Sequence, residues 1–96
     1  MAEYRWDLSK NERLSRDRGV MFEDVLLALE QGRLLDILEH PNAERYRHQK
    51  VLVVEIRRYA YAVPCVEHGA EIFLKTIIPS RKLTRRYLRE RGVGDG

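Results

Sequence analysis

Apolar residues change their spacing once along the chain. Before about residue 32 they recur at helical intervals, and from residue 50 onward they follow the run pattern of strands. Tyr4, Arg5 and Trp6 read as a short first strand. Asp7 offers a helix N-cap, residues 8–18 form a polar helix with only Leu8 and Leu14 as an apolar stripe, and Gly19 is its stop. Met21, Phe22, Val25, Leu26 and Leu29 lie at helical spacing, which predicts a more amphipathic helix near 21–31, ending at Gly32. Residues 33–39 read as a strand and 40–49 as a polar loop.

Three apolar runs follow, at 50–56, 59–66 and 71–78. Their connections, Arg57-Arg58 and a turn centred on His68-Gly69, are short enough to imply an antiparallel meander. Pro64 cannot donate to a ladder and marks an edge or a bulge. With Arg57-Arg58 as a turn, Glu55 lies opposite Ala60 and Val53 opposite Ala62. With His68-Gly69 as the next, Ala62 lies opposite Lys75 and Ala60 opposite Ile77. That register sends Leu52, Val54, Ile56, Val63, Leu74, Thr76 and Ile78 to a core face. It sends Val53, Glu55, Ala60, Ala62, Lys75 and Ile77 to the other, where Glu55 and Lys75 flank a floor of alanines. Beyond Pro79, Ser80 is a cap for a last helix with Leu83, Tyr87 and Leu88 as its packing stripe.

The fold class these elements predict is α+β: a mostly antiparallel sheet, made of a short N-terminal strand and a C-terminal meander, with two N-terminal helices and a basic C-terminal helix. At 96 residues it is one domain, with a core over about 3–91 and a flexible tail at 92–96. The apolar runs are too short to span a bilayer, and the N-terminus lacks the apolar stretch of a secretory signal, so a cytoplasmic protein is expected. The single cysteine, Cys65, permits no internal disulfide and reads as an inert core thiol. One cysteine and three histidines at irregular spacing match no zinc signature, and there is no phosphate-binding glycine loop; no metal or cofactor is expected.

Charge is the least even property. Residues 75–91 hold seven Lys or Arg and one acid, a net of +6, while the whole chain is only +3. A basic end on an otherwise mildly acidic domain points to a polyanion, nucleic acid foremost.

Several segments resemble, in order and spacing, toxins of the BrnT type. These are Tyr4-Arg-Trp-Asp-x-x-Lys-Asn, Arg18-Gly-Val-x-Phe-Glu-Asp and Thr76-Ile-Ile-Pro-Ser-Arg-Lys-x-Thr-Arg-Arg. The stretch from Glu39-His-Pro-Asn to Tyr46-Arg-His-Gln-Lys-Val-Leu-Val-Val-Glu-Ile is similar to a related toxin branch. Two positions depart from the pattern: Met21 stands where a serine is usual, and Pro79-Ser80-Arg81 replaces Ser-Ala-Arg. The resemblance implies a compact RelE-like fold, metal-independent cleavage of mRNA, and neutralisation by a cognate antitoxin in a type II toxin–antitoxin pair.

Such cleavage needs a base for the ribose 2′-OH, cations for the phosphorane and a donor for the leaving oxygen. Glu55, the lone acid in an apolar strand, is the candidate base; Lys75, Arg81 and Arg85 are candidate cations; His40 and His48, in the loop entering the sheet, are candidate donors. Lys82, Arg85, Arg86 and Arg89 are candidate contacts to RNA or antitoxin. Each has a plainer reading: Glu55 and Lys75 as a cross-sheet ion pair, the arginines as a solvated face, the histidines as loop residues. Two alternatives to an enzyme stand beside it, a non-catalytic binding module for antitoxin or nucleic acid, and a degenerate toxin-fold protein.

Overall fold

The computed structural model describes residues 2–89. Strand β1 (Glu3–Arg5) leads through Asp7 into α1 (Leu8–Arg18); the Asp7 carboxylate accepts from the Ser9 and Lys10 N–H groups, and Gly19 ends the helix at φ 71°. Both are the cap and stop the sequence predicts.

Helix α2 (Phe22–Glu30) starts differently. Met21 has no side-chain oxygen to offer, and the first-turn donors find partners elsewhere. Asp24 reaches back to accept from the Met21 N–H at 2.9 Å, and Asn11 Oδ1 of α1 accepts from the Phe22 N–H at 2.7 Å. The Asn11 amide donates in turn to Glu23 at 2.9 Å. Asn11, only 7% exposed, is therefore a cap delivered from the neighbouring helix. Asn11→Ala is expected to cost about 1–3 kcal/mol, because it strands a buried N–H. Denaturant unfolding checks this, and an unchanged midpoint would deny Asn11 the role.

The sheet follows: β2 (Leu34–Glu39), β3 (Gln49–Ile56), β4 (Tyr59–His68), β5 (Glu71–Leu74) and β6 (Ile78–Pro79). Its order is β1-β5-β4-β3-β2, with β6 also on β4. Only β1 and β5 run parallel; every other pair is antiparallel. Arg57 and Arg58 form the β3–β4 turn at φ 52° and 67°, left-handed values that a two-residue hairpin requires and that arginine seldom adopts. The register there is the predicted one, Glu55 against Ala60 and Val53 against Ala62.

The next register is not. His68 pairs with Glu71, so the turn is Gly69-Ala70, with Gly69 at φ 63°. Lys75 donates its N–H to Pro64 O instead of lying opposite Ala62. Pro64 has no N–H to return, and the ladder stops. Pairing resumes at Ala62–Ile78, four residues beyond Leu74 but only three before Cys65, so one extra residue is absorbed as a bulge. The extra residue exchanges the faces: Ile77 is fully buried and Ile78 is 42% exposed, the reverse of the sequence expectation.

On one face, Leu52, Val54, Ile56, Val63, Leu74 and Ile77 pack with Leu14, Val20, Phe22, Val25 and Ala28 of the helical layer, and Trp6 stacks on Phe22 at 5.6 Å. Cys65 belongs to this cluster; burial, then the nearby Glu67, pushes its thiol up.

The C-terminal helix lies on the opposite face. Ser80 Oγ accepts from the Leu83 N–H, starting α3 (Arg81–Leu83), which runs on as wider π-helical turns over Thr84–Arg89. The Ser80 N–H donates to Ala60 O at 3.0 Å, and the Ala60 N–H donates to Thr84 Oγ1 at 2.8 Å. At its far side the Tyr87 hydroxyl donates to Asp36 of β2. Val53 and Ala60 are fully buried on this face and Ala62 is half-buried, so the chain's own helix covers the Ala60 end of the alanine floor. Helices thus flank both sides of a mostly antiparallel mixed sheet, an α+β fold. Among the described residues no helix is long and apolar enough to cross a membrane.

Candidate functional site

The register arranges the second face in cross-strand rows. Glu55 and Ala60 form one, Asp36, Val53, Ala62 and Ile78 the next, and Leu38, Val51, Pro64 and Lys75 the third. The helix crosses between the first and the third.

Glu55 stands at one end. It borders a cleft of about 200 Å³ with Arg33 and Arg57, and another of about 150 Å³ with Arg33, Leu35 and Tyr87. Its backbone is held by a bond from the Glu55 N–H to Arg33 O at 3.0 Å. Its carboxylate forms no hydrogen bond or ion pair among the described residues, so the cross-sheet ion pair with Lys75 is not made.

Lys75 is too far away to make it. From the Pro64 position to the Ala60 position is about 13 Å along a strand, and two strand spacings add about 10 Å across. His48 precedes β3 and Glu55 nearly ends it, roughly 20 Å along the strand. His40, just past β2, is at that same distant end. The candidate donors and the candidate base therefore do not form one constellation. Arg81 follows Ser80, whose N–H donates to Ala60 O; Ser80 and Glu55 flank Ala60 from opposite sides, and Arg81 lines neither Glu55 cleft.

Arg81, Lys82, Arg85 and Arg86 are all exposed along the helix, and none pairs with an acid among the described residues. Arg86 lies over the Tyr87 ring at 5.4 Å. Arg89 has its backbone in the helix; its side chain is outside the described residues, as are Glu90 and Arg91.

The Tyr87 hydroxyl, then the Ile37 N–H and the charge of Arg86, hold the Asp36 carboxyl below its ordinary value of 3.8. A lowered folded value means stability that is present above that ordinary pH and lost as acid protonates Asp36. Amide protection factors over Thr84–Arg89, with the intrinsic pH dependence of exchange divided out, are expected to fall below about pH 4 in the parent and to lack that fall in Asp36→Asn. Parallel profiles for the two proteins would remove Asp36 as the latch.

Arg33 and Arg57 are the site neighbours that sequence reading missed. Arg57 also donates to Gly19 O, tying the hairpin turn to the end of α1. The signal for Arg57 lies in the chain, since it occupies a two-residue turn that favours Asn-Gly and there takes a left-handed φ; nothing in the sequence pointed to Arg33.

No protein-family model, no curated protein and no solved structure matches the chain.

Proposed function

We propose that the chain is the toxin of a type II toxin–antitoxin pair, a cytoplasmic endoribonuclease with a RelE-like fold of the BrnT-like branch. The observation that carries this reading is the combination of a Glu55 carboxylate unpaired among the described residues, bordered by Arg33 and Arg57, with an exposed row of cations, Arg81, Lys82, Arg85 and Arg86, on the helix whose Tyr87 lines the same cleft. Glu55 takes the proton from a ribose 2′-OH. The resulting alkoxide attacks the adjacent phosphorus, and the bond to the 5′-oxygen breaks. The products are a 2′,3′-cyclic phosphate and a 5′-hydroxyl, whose proton comes from water in the open cleft. Arg33, Arg57 and Arg81 hold the phosphate and its growing charge, while Lys82, Arg85 and Arg86 carry the flanking backbone. The same cations suit an acidic antitoxin segment.

Expression in bacteria without an antitoxin tests it: growth arrest with fragmented mRNA is expected. Normal growth and intact mRNA at good expression would count against it.

A specific feature favours the second reading, a non-catalytic binding module. Phe73 and Ile78 are 43% and 42% exposed on the face that carries the cations, a mixed surface suited to a partner segment of acidic and apolar residues. RNA or antitoxin binding without cleavage over hours would select it.

A further inference from the structure

Far from Glu55, a cavity of about 150 Å³ lies where His40, Pro41, Val51, Pro64 and Lys75 meet. Val51 and Pro64 are cross-strand partners and form its floor; Lys75 is tied to Pro64 by its own N–H. Cys65 beneath is buried. The cavity is apolar at its base, its rim carries the Glu39 carboxylate beside Lys50 and Lys75, and the Lys75 ammonium pairs with no acid among the described residues. The other lysine there, Lys50, is committed to Glu67 at 3.2 Å.

His40 is held in place. Its Nδ1 accepts from the Asn42 N–H at 3.0 Å, so the neutral ring keeps its proton on Nε2 as a free donor. Its ring lies 4.3 Å from that of Tyr46, tilted 34°, and Arg45 covers the Tyr46 ring at 5.5 Å. A fixed aromatic wall, an apolar floor and a free ammonium are the parts that hold one unpaired nucleotide: base on the ring and floor, phosphate on the lysine. Strand β2 links the two places, since Leu35 lines a Glu55 cleft and Glu39 lines this cavity.

We infer that this cavity is a nucleotide subsite, in which His40 and Lys75 hold one base and its phosphate of the RNA strand cut at Glu55. The inference rests on the ribonuclease reading and gives these two residues a selecting role in place of a chemical one. Lys75 is about 16 Å from the cut when the distances along and across the strands are combined, and His40 is roughly 20 Å away, a span of about five to six stacked nucleotides.

The test is to map cut sites by sequencing RNA ends from a mixed pool of transcripts treated with the full chain, His40→Ala or Lys75→Ala. The parent is expected to show a base bias at one position within about six nucleotides of the cut. Each variant is expected to flatten that bias and to lose about tenfold in rate at the favoured sites. A parent without bias, or variants that slow every site equally and keep it, would overturn the subsite. If the parent cuts nothing, the ribonuclease reading fails and binding decides the subsite separately. Mixed-sequence single-stranded RNA hexamers should then still shift the His40 ring and Val51 methyl resonances, and unmoved resonances would overturn it.

Discussion

Glu55→Gln is expected to lower RNA cleavage by about 10²–10⁴-fold, the usual loss when a positioned acid–base group is removed. Glutamine keeps the size of the side chain and takes away only the proton acceptor. The fold should not suffer, because the Glu55 carboxylate holds nothing in place among the described residues, and the structural bond at this position is made by its backbone N–H to Arg33 O. Affinity for RNA should hold or rise, since a negative charge leaves a surface that meets phosphates. The loss therefore belongs in kcat, with KM little changed. His48→Ala is the contrast. His48 is exposed, and it precedes the opposite end of β3 from Glu55. Its removal is expected to leave the rate within the same order of magnitude. Equal losses in the two variants would mean that the chemistry is not centred on Glu55.

Replacing Arg81, Lys82, Arg85 and Arg86 together with glutamine is expected to weaken RNA binding and to make it less sensitive to salt. Each phosphate contact on a single strand contributes a slope of about 0.7 in log affinity against log salt, so four contacts would account for nearly 3. The helix should survive. Its ties to the sheet are Ser80 to Ala60, Thr84 to Ala60 and Tyr87 to Asp36; of the substituted cations only Arg86, over the Tyr87 ring, supports one of them. Circular dichroism and unfolding midpoints near those of the parent would confirm that only charge was removed. A salt slope equal to the parent's would show that the row is a solvated face and no phosphate track. Affinity measured at one salt concentration would not separate these outcomes, because cations elsewhere, among them Arg33 and Arg58, still attract RNA.

The parts of the molecule that could be read from its sequence are those governed by neighbouring residues. Asp7 and Gly19 bound α1 because caps and stops act within a turn of the helix. The Glu55–Ala60 register was legible because a two-residue connection between long strands leaves little freedom. The next register was not. A turn displaced to Gly69-Ala70 moved Lys75 from Ala62 to Pro64, farther from Glu55, and one extra residue between Leu74 and Ile78 turned Ile77 inward. Periodicity cannot locate a bulge that follows a missing donor. Asn11 looked like one polar residue in a polar helix; only tertiary packing brings it to the Phe22 N–H and supplies the cap that the Met21 side chain cannot. The narrow stripe of Leu83, Tyr87 and Leu88 implied a docked helix without saying on which face, and that choice decided whether the Ala60 end of the alanine floor was open or covered. Of the candidate site, Arg33 and Arg57 joined Glu55 only once the strands were in register, and His40 and Lys75 border a separate cavity.

The most direct measurement is the chemistry of the cut ends. Purified protein and Glu55→Gln, each incubated with end-labelled single-stranded RNA, should differ in one respect above all. The parent should yield fragments ending in 2′,3′-cyclic phosphate and 5′-hydroxyl, and the variant should bind the same RNA and leave it whole. RNA that stays intact on the parent protein for hours, or that is cut as fast by the variant, would contradict a Glu55-centred ribonuclease.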